Sequence, residues 1–198
     1  KVFQKTTLMR KISLYFRSLY LTFIVFSFSL FAIVNPVHNW DIIGYTASAY
    51  SLDGIEGQNL LDKTYSDVKS EVSIEKYIDL TTSSSSESNY RSTVFSNQIA
   101  LKQQLPFYKV RIAYVYLINF IGKIIGSYSK ASWIISLISS SLILLLVSII
   151  FFKKLATIFF IGFPILIGIT LAGLSRLSTP DSLAILIGLA GLLSYKEK

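Results

Sequence analysis

The sequence predicts an all-α, polytopic membrane protein: about four transmembrane helices plus amphipathic juxtamembrane helices on the outer face. Three observations carry this. The 198 residues are 52% hydrophobic and 15% charged, too apolar for an ordinary water-soluble domain. Charge-free runs occupy 18–40, 131–152 and 155–175. Each reaches the roughly 20 residues a helix needs to cross a ~30 Å hydrocarbon layer. Nine of the eleven acids lie between Asp41 and Glu87, so the acidic charge gathers in one loop.

The elements follow in chain order. Residues 1–35 form a basic flank and a first span. Lys1, Lys5, Arg10, Lys11 and Arg17 precede the apolar run with no acid among them, which places this end in the cytoplasm. Pro36 marks the exit. Residues 36–130 form an extracytoplasmic loop region. Within it Leu61, Tyr65, Val68 and Val72 recur at helical spacing and predict an amphipathic surface helix. T-T-S-S-S-S-E-S-N, residues 81–89, reads as a polar link. Residues 131–198 carry spans two to four.

The segment 110–128 admits two topologies. Its charge-free core, 112–122, is short for a span. If it crosses, Lys130 lies inside and Asp181 falls on the inner side. If it stays in the outer interface, Lys153–Lys154 and the C-terminal lysines join the N-terminal cluster inside. Asp41 and Asp181 then share the outer face. The positive-inside rule favours the second arrangement. The first residue is Lys and the last apolar run is short, so the chain is expected to be the N-terminal part of a longer protein or to pair with another membrane chain.

Composition excludes several functions. There is no cysteine, hence no disulfide or thiolate metal site. One histidine, His38, rules out paired-histidine motifs. Gly-rich phosphate loops are absent. The net charge of +8 follows topology and gives no nucleic-acid footprint. The basic flank suits anionic headgroups, and the lipid bilayer is the first partner.

Three stretches carry groups capable of chemistry. In N-W-D-I-I-G-Y, Asp41 follows the first span. Asn39 is placed to cap a helix with Ile43, Ala47 and Tyr50 on one face. An acid in a first helical turn is ordinary, because the exposed N–H groups favour it. A carboxylate at a membrane edge, beside Trp40 and Tyr45, is also partly desolvated and suited to act as a general base. In L-S-R-L-S-T-P-D-S-L-A, Thr179, Pro180 and Asp181 form a standard helix start. Arg176 and Asp181 nonetheless lie between apolar runs, where ionisable groups often serve function. In P-F-Y-K-V-R-I-A-Y-V-Y, Arg111 and Lys109 suit a phosphate as well as an interfacial belt.

In this order, the three stretches resemble the GT-C glycosyltransferases, membrane enzymes that use polyprenyl-phosphate sugars. The likeness is greatest to bacterial integral membrane proteins of that superfamily. An acid after the first span opens a long outer loop, P-F-Y-K-V-R-I-A-Y-V-Y looks like the proline-led segment ending it, and S-R-L-S-T-P-D-S-L-A looks like the family's Arg-x-x-x-x-Asp turn. The resemblance implies transfer of a sugar to an acceptor hydroxyl on the outer face of a bacterial cytoplasmic membrane. Asp41 would be the base and Asp181 would assist. Tyr45, Lys109, Arg111 and Arg176 would line the substrate site, with Arg111 or Arg176 on the lipid phosphate. It fixes no cofactor and leaves a divalent cation open, with no protein metal ligand assigned. A non-catalytic membrane subunit, using the loop as a contact surface, is the competing expectation.

Overall fold

The computed structural model describes residues 2–82, 89–152 and 157–196. The link predicted over 81–89 lies largely outside these residues, as does the Lys153–Lys154 pair. Among the described residues the chain is all-α: α1 (Val2–Val34), α2 (Asp41–Leu52), α3 (Gly57–Glu71), α4 (Ile74–Thr81), α5 (Asn89–Ser96), α6 (Gln98–Lys109), α7 (Ile112–Ile125), α8 (Tyr128–Phe152), α9 (Thr157–Leu174) and α10 (Asp181–Lys196).

Two helical stretches are long and apolar enough to cross a membrane, Tyr15–Val34 and Tyr128–Ile150. The apolar stretches described in α9 and α10 are shorter, Pro164–Leu174 and Asp181–Tyr195. α1 keeps much of its apolar surface bare: Phe16, Leu19, Phe23 and Phe26 are each at least 64% exposed. A helix at the core of a water-soluble domain would bury that surface, because each such side chain gains roughly 1.5–3 kcal/mol by leaving water.

α8 joins two packing regions. Lower down, Ile143 and Leu144 meet Phe28 of α1 and Leu171 of α9, with Leu186 and Leu189 of α10 alongside. Higher up, Ala131 and Ile135 meet Tyr45 of α2 and Tyr114, Val115 and Ile118 of α7. α2 is the central rod of this second region, with all of Ile42 to Ala49 buried. Its other face, Ile42, Ile43 and Ala47, packs on Leu60, Leu61, Tyr65 and Val68 of α3 and on Leu101 and Leu105 of α6. The predicted spacing of Leu61, Tyr65, Val68 and Val72 is therefore a face buried against other helices, not a membrane-lying one. The bundle supplies the apolar partner that a single amphipathic helix would otherwise seek in lipid.

The 110–128 segment turns back. Gly126, at φ 79, ends α7 in the left-handed region that favours glycine. A side chain at Gly122 would overlap the Tyr128 ring, so glycine there lets α7 close against the start of α8. Acidic-loop residues hold this turn. Asp67 accepts from the backbone N–H groups of Tyr128 (2.9 Å) and Ser129 (3.2 Å), from the hydroxyls of Ser127 (2.7 Å) and Ser129 (2.8 Å), and from Tyr50 (3.2 Å). Asp53 binds Lys123 at 2.6 Å and accepts from Tyr128 and Asn119. Burial alone would raise the Asp53 carboxyl, but these partners outweigh it and hold it below the usual range. The α7–α8 turn is therefore packed against the 36–107 segment.

Candidate active site

The linker between α1 and α2 is sewn to the turn between α9 and α10. The Val37 N–H donates to the Arg176 carbonyl at 3.0 Å. The Arg176 Nε donates to the Asn35 carbonyl, and its guanidinium lies 5.2 Å from the Phe31 ring centre. The Ser178 N–H donates to Asn39 Oδ1 at 3.2 Å, and Asn39 Nδ2 donates to Asp41 Oδ2 at 2.8 Å. Asn39 was expected to cap α2. Its carbonyl accepts from the Ile42 N–H at 3.2 Å, but its side chain caps nothing in that helix and bridges two distant segments instead, while Trp40 occupies the N-cap position.

A row of hydroxyls on α8 anchors the same turn. Ser132 Oγ donates to Ser178 Oγ at 2.9 Å, and Ser136 Oγ to the Thr179 carbonyl at 2.7 Å. Ser182 Oγ donates to the Ser136 carbonyl at 3.2 Å, and Tyr114 Oη to the Ser132 carbonyl at 2.7 Å. Thr179 was expected to cap α10, but its buried hydroxyl has no partner, and α10 opens on Asp181 behind Pro180. Asp181 is solvent-exposed at that helix start.

Asp41 heads α2 beside these contacts. Burial lifts its carboxyl above the usual range, and the Asp181 charge adds to the rise. Hydrogen bonds from Tyr108 (3.4 Å to Oδ1) and Asn39, with the nearby Arg111 cation, offset only part of it. Tyr45 feels the same two charges and that of Asp41: burial lifts its phenol, Arg111 opposes, and Asp41 and Asp181 add. Tyr108 is also raised, first by burial and then by Asp41. Both phenols stay protonated at neutral pH, so Tyr108 is a fixed donor to the carboxylate. The Tyr45 ring meets Tyr108 at 4.9 Å and Tyr114 at 4.8 Å, both edge-to-face, which locks all three side chains.

Arg111 follows the break between α6 and α7, and its Nη1 donates to the Phe107 carbonyl at 2.8 Å. It is the one charged residue lining a groove of about 360 Å³ between Val110–Tyr114 and Pro180, Leu183, Ala184 and Ile187. The groove is otherwise almost wholly apolar. Lys109 faces elsewhere, into a separate cleft of about 450 Å³ with Ser51, Glu56, Gln98 and Lys102. Arg176 turns towards α1, as described above. Of the six residues singled out in the sequence, Asp41, Asp181, Tyr45 and Arg111 thus share one electrostatic neighbourhood, while Lys109 and Arg176 make their contacts apart from it.

Sequence reading missed Tyr108, Asn39 as a bridge, and Gly44. A side chain at Gly44 would overlap the Tyr108 ring, so glycine is what admits the phenol to Asp41. The signal was present in D-I-I-G, where Gly44 lies one turn beyond the acid on the same helix face. Among the described residues, no three His, Asp or Glu side chains are grouped to hold a metal ion. No family model matches the chain, and neither does any curated protein or solved structure.

Proposed function

We propose that this chain is a membrane glycosyltransferase-like module with about four spans and its N-terminus in the cytoplasm. It transfers a sugar from a polyprenyl-phosphate carrier to an acceptor hydroxyl at the outer membrane face. The observation that supports the reading is a half-buried carboxylate, raised by its surroundings, that feels the charge of Arg111, the one charged residue lining an apolar groove.

The chemistry follows from those groups. Asp41 takes the proton of the acceptor hydroxyl as its oxygen attacks the anomeric carbon. The bond from that carbon to the lipid phosphate breaks, and the phosphate leaves with the electron pair. Arg111 offsets its charge while the lipid chain lies along the groove. Tyr108 and Asn39 hold the carboxylate in place. Asp181 favours acceptance of the proton by adding negative potential beside Asp41.

The test uses membranes containing the protein and a radiolabelled polyprenyl-phosphate sugar. Wild-type protein is expected to transfer label to an endogenous glycan or protein, and Asp41→Asn and Arg111→Ala to lose that transfer. Equal label transfer by wild type and Asp41→Asn would sink the proposal.

A non-catalytic membrane subunit is the second reading. It is favoured by the bare face of α7, where Ile112, Tyr116, Phe120 and Ile124 are each at least 60% exposed. That stripe suits a further membrane chain packed beside the outer bundle.

A further inference from the structure

A groove of about 540 Å³ opens between α1 and α9, away from every residue used in the reaction above. Phe23, Phe28 and Phe31 of α1 line it together with Ile165, Gly168 and Ala172 of α9. Among the described residues no charged side chain lines it. Gly168 and Ala172 lie one turn apart on α9 and carry almost no side chain, which leaves the space open.

The end of the groove at Phe31 and Ala172 meets Arg176, four residues beyond Ala172. The guanidinium stands 5.2 Å from the centre of the Phe31 ring. Arg176 is half-buried, and its Nε is fixed on the Asn35 carbonyl. Among the described residues no carboxylate pairs with it, and its Nη groups have no acceptor. A half-buried cation in this state is stabilised by an anion that reaches its fork of N–H groups. The groove itself suits only hydrocarbon. From Tyr20 to Phe31 it runs about 16 Å along α1, which gives a mean cross-section of about 30 Å². A helix about 10 Å across needs more than twice that, whereas one extended acyl chain fits.

We propose that the α1–α9 groove binds one phospholipid of the surrounding bilayer, with an acyl chain along Phe23, Phe28 and Gly168 and the phosphodiester on Arg176. The inference rests on α1 and α9 lying in the membrane, and not on the transferase reading, whose carrier lipid uses the separate groove at Arg111. Bilayer phospholipid far outnumbers any carrier, so mass action favours it here. The bound lipid fills the gap between the two helices and neutralises Arg176 where that residue ties the α1–α2 linker to the α9–α10 turn.

The delipidated full chain in detergent is titrated with dioleoyl phosphatidylglycerol, and bound lipids are counted by native mass spectrometry. One saturable site is expected. Dioleoylglycerol has the same chains without the phosphate and should bind about tenfold or more weakly. Arg176→Gln keeps an N–H donor for the Asn35 carbonyl but removes the charge, and should bring phosphatidylglycerol down to the dioleoylglycerol level. Ala172→Leu keeps a good helix former while filling the groove, and should weaken both lipids about fivefold or more. Equal binding of the two lipids by wild type, or phosphatidylglycerol binding unaltered by Arg176→Gln, overturns the site. A dimer that excludes lipid, or displacement of phosphatidylglycerol by equimolar undecaprenyl phosphate, overturns the phospholipid as occupant. Saturable phosphatidylglycerol binding in a protein that transfers no label keeps the site and removes the transferase reading. Label transfer without saturable phosphatidylglycerol binding does the reverse.

Discussion

At the residue scale, Asp41 is held in a costly state. Between the ordinary aspartate pKa and the raised value in the fold, the folded chain keeps a proton that the unfolded chain has released. Stability therefore falls as pH rises through that window, and the cost is complete above it. Asp41→Asn removes the cost at neutral pH. We expect the variant to melt at a higher temperature than wild type, with the difference vanishing in acid, while transfer falls by about 10²–10⁴-fold. A lower melting temperature at neutral pH would show that the carboxylate is stabilising. Gly44→Ala makes a different prediction. Its methyl collides with the Tyr108 ring, so the phenol is pushed off Asp41. Overpacking of this kind costs about 1–3 kcal/mol, and the loss should appear in thermal unfolding together with reduced transfer. His38 behaves oppositely to Asp41. It is buried and brought down to about 4, first by burial and then by Lys76, so its neutral form suits the fold. Stability linked to it is lost as pH falls from its ordinary value towards 4. His38→Phe should flatten the fall in melting temperature over that acidic range.

At the element scale, the decisive feature is the turn between α7 and α8. Asp67 accepts five hydrogen bonds, one from Tyr50 of α2 and four from Ser127, Tyr128 and Ser129 at the start of α8. Asp67→Ala strands those donors and is expected to cost at least about 2 kcal/mol. Hydrogen exchange should speed up at the amides of Tyr128 and Ser129 before it does in lower α8. Unchanged protection there would mean that α8 starts without its clamp. The helices themselves were legible in the sequence. Apolar runs and breakers marked α1, α8, α9 and α10, and helical spacing marked α3. The partners were not legible. Nothing in the local pattern around Leu61 to Val72 says whether its apolar face meets lipid or other helices. That depends on α2 and α6 arriving from elsewhere in the chain.

At the scale of the whole molecule, the hydrogen bonds at both ends of α2 set the arrangement. Asp41 lies beside the α9–α10 turn and Asp53 beside the α7–α8 turn, which draws both turns to the acidic loop. Lys130→Cys and Leu177→Cys should therefore both react with an impermeant thiol reagent in intact cells, against a background free of native cysteine. Reaction at one site only, with the other labelled after permeabilisation, would place the two turns on opposite faces of the membrane. The sequence by itself determined the helical class, the apolar character and the location of the carboxylates at helix starts. These follow from composition and local periodicity, which act over a few residues. Only the tertiary structure decided that Asp41, Asp181, Tyr45 and Arg111 share one field, that Tyr108 bonds Asp41, and that Lys109 and Arg176 are occupied elsewhere. Those outcomes depend on side chains far apart in the chain meeting across packed helices, and on the burial that follows, which no local spacing encodes.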